Sequence, residues 1–76
     1  MSAPVRVRVN GEPRLVPAGT SLAALVGELA GAPAGAAAPP GIAVARNEAV
    51  VPRGEWAGTT LAEGDRVEVL TAVQGG

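Results

Sequence analysis

The sequence predicts one α+β domain: a mixed sheet of four to five strands with a single main helix packed on one face. Three observations predict it. Apolar and polar residues alternate strictly through Val5–Val9 and again through Arg66–Leu70, one apolar stripe at helical spacing lies between them, and seventy-six residues leave room for only one core.

Val5-Arg6-Val7-Arg8-Val9 places three β-branched side chains on one face and two guanidinium groups on the other, which makes a half-buried strand. Asn10-Gly11 follows, the dipeptide best able to take positive φ at both central positions of a tight turn, so Arg14-Leu15-Val16 returns antiparallel. Pro13 brings no N–H to a ladder and is expected at the margin of that second strand. Thr20-Ser21 then opens a helix by offering hydroxyl oxygens to the unpaired N–H groups of the first turn. Leu22, Leu25, Val26 and Leu29 fall at i, i+3, i+4 and i+7, a stripe of three turns, and Gly31 and Pro33 close it. A chain this short needs that stripe for its own core.

Gly31 to Gly41 carries no charge and no large side chain, and is expected to be a mobile crossover. Ile42-Ala43-Val44-Ala45 resumes a strand, Arg46-Asn47-Glu48 turns, and Ala49-Val50-Val51 makes a short return that Pro52 ends. Trp56, the sole aromatic residue, is expected to anchor an irregular connection, with its indole N–H on a carbonyl or water. Glu63-Gly64-Asp65 makes the turn into the last strand, whose polar face carries Arg66 and Glu68. Leu70 shares that face, opposite Val67 and Val69, and so is expected outside the helix-covered core, where a partner can use it. Residues 1–71 are expected to form the domain. Residues 72–76, Ala72-Val73-Gln74-Gly75-Gly76, are expected to form a flexible tail.

Composition excludes most chemistry. Without cysteine or histidine there is no disulfide framework, no zinc site of sulfur and imidazole, no thiol nucleophile and no Ser-His triad. Six arginines against seven acidic residues leave a net charge of −1, too balanced for a nucleic-acid partner. The longest uncharged stretch, between Glu28 and Arg46, is Ala, Gly and Pro rather than Leu and Ile, so no membrane span is expected. Met1 to Pro4 has none of the features of an export signal, and the cytoplasm is the expected location. Lysine is absent while alanine, glycine and proline abound, a compositional bias of the whole chain.

The one candidate for chemistry is the Gly75-Gly76 end. Two residues without Cβ make slim peptide units that can thread a narrow channel and present a carboxylate to a reactive centre in another protein. A terminal carboxylate is ionised at neutral pH and resists nucleophilic attack, so it must first be activated, for example as a mixed anhydride with AMP. A partner must supply that step, because nothing in this chain can perform it.

The order of elements with the Gly75-Gly76 end resembles the ubiquitin-like β-grasp fold shared by ubiquitin and the small bacterial sulfur carriers. More narrowly, Ala45-Arg46-Asn47-Glu48-Ala49-Val50-Val51-Pro52-Arg53, then Trp56, then Leu61 to Val69, then Gly75-Gly76 is similar to the sulfur carrier of thiamine biosynthesis. Val9-Asn10-Gly11-Glu12 and the helix extend the likeness more loosely into the first half. Asn followed by an apolar pair and Pro-Arg, with Trp three residues after that Arg, is its most specific part. Glu63 departs from the aspartate more usual in the turn.

The resemblance implies a protein co-substrate rather than an enzyme. An adenylating enzyme of the ubiquitin-activating type, using its own ATP and magnesium, would convert Gly76 to an acyl adenylate. A sulfur donor enzyme would turn that into a thiocarboxylate, and a thiazole synthase would take the sulfur into the thiazole ring. Gly76 and Gly75 are then the reactive end, and Leu70, Val73 and Gln74 the expected partner contacts. No bound cofactor and no metal are expected. Three alternatives stay open: the small subunit of molybdopterin synthase or another sulfur carrier, a ubiquitin-like modifier joined to lysines, and a plain β-grasp binding module whose last glycines are idle.

Overall fold

A computed structural model of the chain describes residues 2–33 and 36–71. The elements run β1 (Val5–Val9), β2 (Glu12–Val16), α1 (Leu22–Leu29), β3 (Ile42–Arg46), β4 (Ala49–Val50), a 3₁₀ turn at Arg53–Glu55, and β5 (Arg66–Thr71). They build a five-stranded mixed sheet in the order β2-β1-β5-β3-β4, with α1 across one face. The first and last strands to be made lie side by side in parallel, Val9 opposite Val67, and β5 pairs antiparallel with β3 on its other flank. β5 is therefore the central strand.

Alternation decides which side chain goes where. Val7 and Val9 of β1, Val16 of β2, Val44 of β3 and Val67 of β5 turn toward the helix and meet Leu22, Leu25, Val26, Trp56 and Leu61 in one core. Ser21 caps the helix as expected, its hydroxyl oxygen accepting from the Ala24 N–H at 3.1 Å. The helix is eight residues long, closer to two turns than to the predicted three. It stops at Leu29, and Gly31 takes φ 75° just beyond it. In consequence Leu29 is 39% exposed and lies outside the core, a correction to the stripe, while Gly27 is buried in its place on the packed side.

Two further expectations need correction. Pro13 is not at the margin of β2 but inside it, paired with Arg8, and the strand begins at Glu12, two residues before Arg14. β2 is an edge strand, where a residue without an N–H is tolerated. The crossover, whose composition suggests nothing to bury, does place Ala38 against the core. The return strand β4 is two residues long, and its turn uses Asn47 at φ 51° and Glu48 at φ 73°, the left-handed pair that a tight hairpin requires.

Trp56 is 3% exposed and its Nε1–H donates to the Val51 carbonyl at 2.8 Å, the anchor that the sequence predicts. Asp65 closes the turn before β5: one carboxylate oxygen accepts from the Ala62 N–H at 2.8 Å, the other from Asn47 Nδ2 at 3.1 Å. Among the described residues no helix is long and apolar enough to cross a membrane.

Candidate functional site

The site is built around the C-terminal end of β5, because that strand carries the chain toward Gly76 and has a neighbour on each side. Its register with β3 sets Leu70 opposite Ala43 and Glu68 opposite Ala45, and β4 adds Val50 opposite Ala45. All of these side chains project from the face that α1 does not cover. Leu70 is 68% exposed and Val50 79%, so the period-two pattern places Leu70 where it was expected, outside the core. Ala43, Ala45, Val50 and Leu70 surround Glu68 in a depression of about 140 Å³. Sites for small organic ligands run to roughly 300–1,000 Å³, so this one suits a side chain or two of a partner protein.

At the start of β5 the same face becomes charged. Arg66 lies 3.6 Å from Glu48 in a pair exposed on both sides, which contributes little to stability. The face thus divides into an apolar end beside Thr71 and a charged end beside the Glu63-Gly64-Asp65 turn. Among the described residues no cluster of acidic side chains could hold a metal ion.

A second depression lies at the edge of the apolar end, lined by Pro40, Gly41, Ile42, Arg53, Leu70 and Thr71. Arg53 shapes it: the guanidinium sits 4.7 Å from the Trp56 ring centroid and donates to the Ala38 carbonyl at 2.8 Å and to that of Pro39. The Pro-Arg and Trp pattern therefore has a local physical role, tying the crossover down beside the last strand. Sequence reasoning singled out those residues without finding this role. It also missed Ala43, Ala45 and Val50 as neighbours of Leu70, although alternation around Val44 carries the signal for the two alanines. The four other expected site residues, Val73, Gln74, Gly75 and Gly76, lie outside the described residues.

A mixed five-stranded sheet with one helix on one face, a central last strand and an open face beside its end defines a β-grasp domain. The crystal structure of a thiamine biosynthesis protein, ThiS, from Geobacter metallireducens matches it with a TM-score of 0.71 at 30% identity, covering 95% of this chain and 100% of that one. The model of the ThiS family matches residues 7–76, and the chain belongs to that family, the small sulfur carriers of thiamine biosynthesis. The chain is also 39% identical over 72 residues to a thiazole synthase of Magnetococcus marinus, a match that takes in 95% of this chain. It spans 20% of the length of that relative.

Proposed function

We propose that this protein carries sulfur to the thiazole ring of thiamine on the carboxyl group of Gly76. The carboxylate attacks the α-phosphorus of ATP held with magnesium by an adenylating enzyme, and pyrophosphate leaves. Sulfur delivered by a donor enzyme at the sulfide level then attacks the carbonyl carbon, the C–O bond to AMP breaks and AMP leaves, which gives a thiocarboxylate. A thiazole synthase accepts that sulfur. The chain itself is a co-substrate and contributes a rigid base, an open apolar face and a reactive end.

The observation that carries this reading is that the family match runs on to Gly76 and so includes the Gly75-Gly76 pair. The likeness to a stretch of a thiazole synthase supports that enzyme as a partner, since carrier and acceptor must meet for sulfur to pass. Leu70 supports a docking role on physical grounds: it is a large exposed aliphatic side chain six residues before Gly76, with alanines and a valine around it. The five residues after Thr71 span at most roughly 18 Å, so a partner that holds Gly76 in its reactive centre meets this face as well. Val73 and Gln74, between the two, are proposed to line the partner's channel.

Intact-mass spectrometry tests the proposal. The protein is incubated with the adenylating enzyme, ATP, magnesium and a sulfur source, and the expected product shows an oxygen-to-sulfur mass change localised to Gly76. Persistent absence of that change with a partner shown to adenylate another carrier overturns the reading, as does thiazole formation supported equally by a chain lacking Gly76.

A further inference from the structure

We infer that Asn10 is a positioning residue for the reactive end: its side chain substitutes for the strand residue that β1 lacks and holds β5 in line as far as Val69. This rests on the carrier reading proposed above. β1 and β5 run parallel, and their ladder advances along β5 in steps of two. The Arg8 N–H donates to the Asp65 carbonyl at 2.9 Å, and the Asn10 N–H donates to the Val67 carbonyl at 2.9 Å. The next step would engage Val69, but β1 has ended. Asn10 at φ 51° and Gly11 at φ 85° turn the backbone away into β2.

The Asn10 carboxamide takes up the missing step. Its Oδ1 accepts from the Val69 N–H at 2.9 Å and its Nδ2 donates to the Val69 carbonyl at 3.3 Å, standing in for the backbone carbonyl of residue 10 and the N–H two residues on that a longer parallel β1 would offer. On the opposite flank β3 pairs with β5 through Ile42 and Thr71. With both flanks engaged, β5 is held nearly to its last residue, Thr71, the described residue nearest to Gly76 in sequence.

Position 10 therefore has two requirements. The residue must adopt a left-handed backbone, and it must carry both a donor and an acceptor one carbon from the backbone. Asn meets both. Gly meets the first alone, and Asp keeps the acceptor but opposes a second oxygen to the Val69 carbonyl. Because each of these residues tolerates positive φ, the turn survives and the clamp can be removed separately.

Asn10→Gly and Asn10→Asp, compared with the unaltered protein, provide the test. Amide exchange at Val69 is measured alongside pyrophosphate release by the adenylating enzyme as a function of carrier concentration, well below the melting temperature. In Asn10→Gly we expect Val69 to exchange faster while amides of β3 keep their protection. The KM for the carrier rises at least about fivefold, the factor for one of the two hydrogen bonds lost, as the partner must now order the strand end itself. The turnover number stays within about twofold, because a docked chain presents the same carboxylate. Asn10→Asp falls between the two. An unchanged KM in Asn10→Gly, with or without a fall in overall stability, overturns the inference and leaves the carrier reading intact. Failure of the unaltered protein to support pyrophosphate release with a competent partner removes the carrier reading itself.

Discussion

Asn47 and Asp65 meet at 3.1 Å beneath the charged end of the sheet, and together they join the β3–β4 turn to the turn that starts β5. Asn47 also accepts from the Arg66 N–H at 2.9 Å, while Asp65, 7% exposed, takes the Ala62 N–H and lies 3.4 Å from Arg46. Three donors thus converge on one largely buried carboxylate. Replacing Asp65 with Ala strands them, and we expect a loss of about 2–3 kcal/mol in urea unfolding. At about 4–8 °C per kcal/mol the melting temperature falls by roughly 10–20 °C. Asp65→Asn keeps the shape with one acceptor oxygen fewer and should lose about half as much. An unaltered midpoint in Asp65→Ala would show that the turns hold without it.

Trp56 fills the core between α1 and the connection that follows β4, so its removal should be felt globally. Trp56→Ala is expected to cost about 3–5 kcal/mol, which approaches the whole stability of many small domains. Trp56→Phe retains most of the apolar burial but leaves the Val51 carbonyl without its donor, for about 1–2 kcal/mol. Far-UV circular dichroism melts rank the two. Equal losses would mean that the hydrogen bond, not the ring, dominates.

How much of this architecture could be read from the amino acids depends on the range of the interaction. Alternation through Val5–Val9 and Arg66–Leu70, the Asn10-Gly11 turn and the Ser21 cap are local, and each appears in the structure at or within a residue of its expected place. Period two alone puts Leu70 on the open face, where it is 68% exposed. The misjudged points depend on neighbours distant in sequence. Leu29 fits a helical stripe, yet as the last residue of α1 it finds no core neighbours to bury it and is 39% exposed. Pro13 is acceptable within β2 only because β2 is an edge strand, which follows from the full strand order. Asn10 reads as a turn residue and nothing more until β5 is known to lie beside β1. Arg53 likewise gains its role only when the crossover is folded over it.

Arg53 offers a prediction about local rather than global order. Its guanidinium bridges the Trp56 ring and two crossover carbonyls, contacts worth on the order of 1 kcal/mol at an exposed position. In Arg53→Ala the overall stability should fall by no more than about that amount. The crossover beside it should become accessible, and a protease that cuts after small residues is expected to cleave between Ala36 and Gly41 faster than in the unaltered protein. Arg53→Lys keeps the charge without the planar fork that spans two carbonyls, so it should restore only part of the resistance. Identical digestion of all three proteins would separate Arg53 from crossover order.

Leu70 distinguishes a docking face from ordinary surface. An exposed strand position opposite an alanine accepts a long polar side chain readily, so Leu70→Arg should leave unfolding stability within about 0.5 kcal/mol. If a partner covers this face to reach Gly76, the same substitution buries a charge without a counterion at the contact. A loss of about 2 kcal/mol there, roughly thirtyfold in kcat/KM for adenylation or for thiazole transfer, is the expected result. Leu15→Arg is the matched control. Leu15 is 62% exposed and sits on the β2 edge, with β1 between it and β5, where a partner engaged at the end of β5 does not need it. Equal losses in both variants would indicate a general effect of added charge. Undiminished adenylation and transfer in Leu70→Arg would remove Leu70 from the docking surface, while the chemistry proposed for Gly76 would still stand or fall on its own mass measurement.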